Sequence, residues 1–333
     1  MPEGFTPILI AVLALAVLFD YINGFHDTAN AIATSVSTRA LSPQWAIAMS
    51  ATANFVGALT GTEVAKTIGS GLIDQQFEGQ LVVAAALLGA ITWNLVTWRL
   101  GIPSSSSHAL IGGLLGAVAV AAGFGAWRVD GIRDKVLLPL VGSPIAGFAL
   151  GLILMVVIFN VFVRAHPKTM NDRFRRLQVL SAAYMAFSHG SNDAQKTMGV
   201  MTLALVTAGV IPEFRVPFWV ILLAASAISL GTAAGGWRII KTMGTKVVKL
   251  DPVHGFAAET TAASIIFAAS QFGMPVSTTH VISSAILGVG SSDRFNAVRW
   301  GVARRIGIAW VLTLPAAGLT AALAYVLLSP ILG

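Results

Sequence analysis

Two short polar patterns each occur twice in this 333-residue chain, in the same order and at nearly equal spacing. Gly24-Phe25-His26-Asp27-Thr28-Ala29-Asn30-Ala31 is answered by Gly190-Ser191-Asn192-Asp193-Ala194-Gln195-Lys196-Thr197. Gly101-Ile102-Pro103-Ser104-Ser105-Ser106-Ser107-His108 is answered by Gly273-Met274-Pro275-Val276-Ser277-Thr278-Thr279-His280. In the second pattern a proline precedes a run of hydroxyls. Proline disfavours helix in the residue before it, so the backbone breaks there and a new helix starts. The first turn of that helix has free N–H groups and the positive end of a dipole, a ready anion site. Ser105, Ser106 and Ser107, with Ser277, Thr278 and Thr279, add hydroxyl donors without adding fixed charge. Two such ends converging would clamp a tetrahedral oxyanion. Helix capping is the competing reading, because Ser and Thr often cap helices; the duplication favours the anion site.

Asp27 and Asp193 occupy matching places in the first pattern, Glu259 lies inside the apolar run 256–272, and Asn54 lies in an otherwise apolar helix. An acid at membrane depth costs at least ~2.5 kcal/mol on insertion scales, so it is a functional candidate. Carboxylates beside an anion site repel the anion unless they hold cations or protons. That supplies a coupling logic in which a cation or proton loads first and admits the anion. The competing reading is a structural pair such as Asp193 with Lys196. Asn30 in the first copy is matched by Lys196 in the second, whose ammonium would balance Asp193 or touch the anion. His26 and Asn192 precede the two aspartates, His189 precedes the second box, and His108 and His280 are a matched pair. These are secondary candidates, since an intramembrane histidine is often a packing residue. A hydrolase with Ser106 or Thr278 as nucleophile is disfavoured: the chain lacks G-x-S-x-G, and duplicate sites do not suit one nucleophile.

Apolar helices must position these groups. The chain is 56% hydrophobic and 11% charged, against about 25% charged residues in soluble domains. Runs at 81–98, 137–163, 217–235 and 306–328 are long enough for a ~30 Å hydrocarbon core. The chain has no cysteine, which excludes disulfides and thiolate metal sites. The start, Met1-Pro2-Glu3-Gly4, has no basic n-region, so a retained first helix is expected rather than a cleaved signal. Most Lys and Arg residues fall on one side of a single crossing scheme, which makes that side cytoplasmic and places the acidic stretch 63–78 outside. The scheme puts helix breaks at Asn23-Gly24 and at Ser188-His189-Gly190.

The same scheme sets the two copies upside down relative to each other. The expected fold is therefore an all-α polytopic membrane protein of two inverted-topology repeats, with broken or re-entrant helices at the midplane. Residues 1–163 form the first repeat, 164–176 a basic cytoplasmic linker, and 177–333 the second repeat. Inverted repeats with interrupted helices at matching positions point to the midplane site of a secondary transporter.

At these residues the chain resembles the Pit family of inorganic phosphate transporters. The duplicated G-x-N-D-x-A-N-A-type box is matched by residues 24–31 and more loosely by 190–197; the Pro-hydroxyl-His turns and Glu259 match as well. The resemblance covers essentially the whole chain. It implies a multi-pass protein of the inner (plasma) membrane, often a homodimer, that moves phosphate with a coupling ion and has neither enzyme activity, nor a nucleic-acid partner, nor a cofactor. Carried over by position, Asp27, Asn30, Asp193 and Glu259 match essential polar positions, and the Ser/Thr clusters match phosphate-contacting turns. His26 in place of the usual Asn, and Gln195-Lys196 in place of the second Ala-Asn, resemble the bacterial low-affinity branch. That branch implies proton coupling, with sodium as the alternative ion, and an option of carrying phosphate as a divalent-metal complex. Sulfate, another tetrahedral oxyanion, is the alternative cargo. The linker is too short for loop-based regulation.

Overall fold

The computed structural model describes residues 4–74 and 79–332. The first three residues, on which the reading of the N-terminus partly rests, and positions 75–78 of the acidic stretch lie outside the described residues. Among the described residues two sets of six α-helices follow one another. The first comprises α1 (Pro7–Ser37), α2 (Pro43–Ala58), α3 (Glu63–Ser70), α4 (Gln80–Leu100), α5 (Ser106–Ala122) and α6 (Val129–Val161). The second comprises α7 (Pro167–Thr207), α8 (Phe218–Ala234), α9 (Trp237–Lys241), α10 (Pro252–Gln271), α11 (Thr278–Ser291) and α12 (Trp300–Leu332). Each helix of the first set has its counterpart six places on. Helices α1, α4, α6 and α12 are long and apolar enough to cross a bilayer.

Local sequence explains the helix ends. At Gly101 the backbone turns left-handed (φ 67°) and closes α4, with Gly101 N–H donating to the Trp98 carbonyl and Ile102 N–H to that of Thr97. Gly273 (φ 64°) does the same after α10, through the carbonyls of Ser270 and Ala269. Glycine takes this conformation without a Cβ penalty. The prolines that follow prevent immediate resumption, and Ser105 and Ser277 cap the next helices. The expected interruptions at the hydroxyl turns are present.

The interruptions expected at Asn23-Gly24 and Ser188-His189-Gly190 are not. Helices α1 and α7 run unbroken through both. Their glycines serve helix crossing instead. A Cβ at Gly24 would fall on the Ile228 carbonyl oxygen of α8, and one at Gly231 on the Tyr21 carbonyl of α1. A Cβ at Gly190 would fall on the Asn54 carbonyl of α2, and one at Gly57 on the Phe187 carbonyl of α7. Two reciprocal glycine contacts thus bring α1 onto α8 and α7 onto α2, backbone against backbone, as small residues allow between membrane helices.

These crossings place a polar layer between two apolar cores. Leu9, Val12, Ala16 and Phe19 of α1 pack in one core with α4, α5 and the C-terminal half of α7. Ala29, Ile32 and Ala33 of α1 pack in the other, with Met185 and Ala186 of α7 and with α10 and α11. Each long helix therefore passes from one core into the other, and both boxes lie at the passage. Helices α6 and α12 are mostly unburied in the monomer, as suits lipid-facing helices.

Outside this layer, Asp251 caps α10, accepting from the N–H groups of Val253 and His254 (3.0 Å each) and from the His254 ring at 2.7 Å. His254 also approaches Asp293, before α12, at 3.1 Å. Burial raises the Asp251 pKa, but the His254 ring and the two N–H donors outweigh it and hold the carboxyl below its ordinary value. The stabilisation is thus present above the unfolded-state pKa and fades as pH falls through the lower folded value. Asp251→Ala is expected to cost about 1 kcal/mol, the usual worth of such a cap. A melting curve in detergent should show the loss at neutral pH and a narrowing gap to wild type in acid.

Candidate functional site

The first turns of α5 and α11 meet the middles of α1 and α7 inside the polar layer. The four carriers of the duplicated patterns form one pseudo-symmetric cage. Ser106 Oγ donates to Asp27 Oδ2 at 3.1 Å, and its counterpart Thr278 Oγ1 donates to Asp193 Oδ2 at 3.1 Å. Across the halves, Asn30 Nδ2 donates to the hydroxyls of Thr278 (3.3 Å) and Thr279 (2.9 Å). Lys196, the counterpart of Asn30, donates to the Ser107 hydroxyl, to Asp193 Oδ1 and to the Val276 carbonyl. Thr279 Oγ1 lies 3.5 Å from Asp27 Oδ1. All of these side chains are at most 3% exposed, so each hydrogen bond acts in a low-dielectric setting.

Ser105 and Ser277 stand apart from this cage. Their hydroxyls accept from the N–H groups of His108 and His280, both at 3.2 Å, so in this conformation they cap. The residues before the aspartates anchor the broken turns. His26 Nδ1 lies 2.7 Å from Asp27 Oδ1, and its Nε2 lies 3.1 Å from Thr97 Oγ1 and 3.4 Å from Ser104 Oγ. Asn192 likewise donates to Ser270 Oγ (2.9 Å) and to the Met274 carbonyl (3.2 Å). His108 and His280 face each other with ring centroids 4.8 Å apart, and His280 stacks on Trp310.

Asn54 does not enter the cage; it orients His189. Its Nδ2 donates to Thr232 Oγ1 at 2.8 Å, which leaves Oδ1 to accept from His189 Nδ1 at 3.1 Å. With Nδ1–H so committed, His189 Nε2 stands 3.0 Å from Asp193 Oδ2 and 4.0 Å from Asp27 Oδ2. Two lone pairs cannot hold that closeness, so a proton resides either on Nε2 as well or on the carboxyl. Asp27, His189 and Asp193 have ligand atoms within 4.8 Å of one another, a spacing that one cation could bridge.

Glu259 sits in a separate pocket of donors. It accepts from Thr34 Oγ1, from Ser181 Oγ at 2.5 Å and from Gln178 Nε2 at 3.2 Å, while Thr38 Oγ1 donates to Gln178 Oε1 at 2.7 Å. Sequence reasoning singled out Glu259 and missed its three partners. Thr34 lies beyond the box on α1, and Gln178 and Ser181 lie far ahead of the box on α7; only an i to i+3 spacing of two polar residues marks the latter pair.

A model of the phosphate transporter family matches residues 23–172 and again 163–321. The chain is 52% identical over 327 residues to a "Probable low-affinity inorganic phosphate transporter" of Bacillus subtilis (strain 168), covering 97% of each chain. It is 51% identical over 321 residues to a protein of the same description from Rhizobium meliloti (strain 1021), covering 96% of each. A solved structure described as "The sodium-dependent phosphate transporter" superposes with a TM-score of 0.87 at 26% identity, over 98% of this chain and all of the other.

Proposed function

The chain belongs to the phosphate transporter family, and from that premise we propose that it imports inorganic phosphate across the cell membrane by symport with protons. It is a transporter rather than an enzyme. The observation that carries the substrate reading is the convergence of two helix starts on one buried cage, with Ser106, Ser107, Thr278 and Thr279 as hydroxyl donors and Lys196 as a fixed cation hydrogen-bonded within it. Backbone N–H groups and hydroxyls suit any tetrahedral oxyanion. The aspartates add selectivity. Phosphate at neutral pH still carries a proton that it can donate to Asp27 or Asp193, whereas sulfate has none to donate.

Three features support protons over sodium as the coupling ion. Lys196 already supplies Asp193 with a tethered cation, His26 sits against Asp27, and the His189–Asp193 contact requires a proton of its own. Glu259, ringed by donors and without an acidic twin, is a second proton-handling group in this reading. The Asp27–His189–Asp193 trio supports a cargo option in which a divalent metal enters with phosphate. Assembly as a homodimer is part of the same proposal and rests on the family resemblance.

Uptake by purified protein in liposomes tests the whole reading. An imposed pH gradient should drive phosphate accumulation and leave sulfate outside, and a sodium gradient at equal pH should drive little. Accumulation that follows sodium and ignores pH overturns the proton assignment.

A further inference from the structure

One buried acid takes no part in the cage or in the Glu259 pocket. Asp20 lies on α1 about two turns before Asp27, and its side chain is 0% exposed. Among the described residues neither of its oxygens has a hydrogen-bond partner. It faces the Asn23 amide on its own helix and the Thr197 hydroxyl on α7, and these are equally buried and equally unpartnered. The charged and titratable groups directed at it are Asp193 and His189, both on α7. A buried carboxylate that makes no hydrogen bond is very costly unless something neutralises it. Here the Asn23 amide and the Thr197 hydroxyl lie near without closing a hydrogen bond and no cation is tethered to the carboxyl, in contrast to Asp27, Asp193 and Glu259, each of which is bonded to donors or a cation.

The repeat sharpens the point. The second-half counterpart of Asp20 is Ala186, that of Asn23 is His189, and the first-half counterpart of Thr197 is Ala31. The group of Asp20, Asn23 and Thr197 is therefore specific to one side of the pseudo-symmetric layer. It borders the cage through His189 and Asp193 without being part of it.

We propose that Asp20 is a proton-carrying site of the transport cycle, lying beside the phosphate cage and compensated only by a proton taken from the medium. The inference rests on the proton-symport reading above. A proton binds one Asp20 oxygen as O–H from water on the outer side and leaves to water on the cytoplasmic side, so one positive charge moves inward per cycle at this residue. The surroundings favour a proton over a sodium ion. Helix α1 is unbroken here, so its carbonyls are committed to the helix ladder, and the Gly24 carbonyl accepts from Thr28 Oγ1 as well. Sodium would find one carboxylate, one amide oxygen and one hydroxyl, whereas a proton needs no further ligands.

The test uses the full chain in liposomes, with a trapped pH indicator and labelled phosphate, comparing wild type, Asp20→Asn and Asp20→Glu. Each coupled proton is worth about tenfold in accumulation per pH unit of gradient. Asp20→Asn should therefore lose about tenfold of its accumulation at one pH unit and move one proton fewer per phosphate. Its phosphate–phosphate exchange, which needs no net proton movement, should persist, and Asp20→Glu should restore the pH dependence. An unchanged proton count in Asp20→Asn overturns the proposal, as does loss of exchange together with accumulation, which would mark Asp20 as structural. A sodium requirement that disappears only in Asp20→Asn also overturns it in favour of a sodium site. Wild-type protein that ignores the pH gradient instead fails the symport reading itself, and the two failures are thereby distinguished.

Discussion

Lys196→Ala is expected to reduce phosphate uptake to below about one per cent of wild type. The ammonium is 1% exposed and bonds Asp193, the Ser107 hydroxyl and the Val276 carbonyl together. Removing one partner of a buried ion pair costs about 3–5 kcal/mol, because the other charge stays buried without compensation. That loss corresponds to a factor on the order of a hundred or more. It falls on the cage directly, since Asp193 also receives Thr278 and faces His189. Asp193→Asn combined with Lys196→Asn removes both charges and should recover much of the melting temperature without recovering transport. Lys196→Asn alone installs the residue of the first repeat and leaves Asp193 without its tethered cation. For that variant sodium in the buffer should raise the melting temperature, and choline at equal ionic strength should not. Full uptake by Lys196→Ala would remove the ammonium from the mechanism.

How much of this was legible beforehand follows from how local each signal is. The hydroxyl turns could be read because Gly101-Ile102-Pro103 and Gly273-Met274-Pro275 punctuate the backbone within a few residues, and the capping serine comes next. The boxes were found because they recur. Yet Gly24 and Gly190 were read as breaks when they are contact points, since the reason for each lies on a distant helix: Ile228 for Gly24 and Asn54 for Gly190. A glycine following a polar residue looks the same from the sequence in either role. Glu259 announced itself as an acid in an apolar run, but its partners Gln178 and Ser181 sit beside a basic linker where polar residues are unremarked. Asp20 is not marked by the repeat, because a duplication shows only what its two copies share and the counterpart of Asp20 is Ala186. The duplication thus exposes the symmetric cage and is silent on the asymmetric groups that would make the cycle directional: Glu259 had to be read from its apolar run, and Asp20 has no such marker.

The crossing glycines carry the second large effect. Gly24→Ala is expected to abolish uptake and to lower the melting temperature, although it adds a single methyl group. In most helices alanine stabilises relative to glycine by up to about 1 kcal/mol. Here the new Cβ would lie 2.2 Å from the Ile228 carbonyl oxygen, a backbone atom that cannot swing aside as a side chain would. Helices α1 and α8 must separate instead. Overpacking of this kind costs about 1–3 kcal/mol and sometimes more, which outweighs the gain in helix propensity. The functional loss should exceed the loss of stability. Asp27 lies one turn from Gly24, and its 3.1 Å bond to Ser106 must shift with the helix. Gly190→Ala should behave alike, because the Asn54 carbonyl blocks it and Asp193 follows three residues later. By contrast Gly142→Ala, on lipid-facing α6 with nothing within 4 Å of its Cβ, should leave uptake and melting close to wild type. Equal behaviour of all three variants would mean that close backbone approach is not what holds the two aspartates in register.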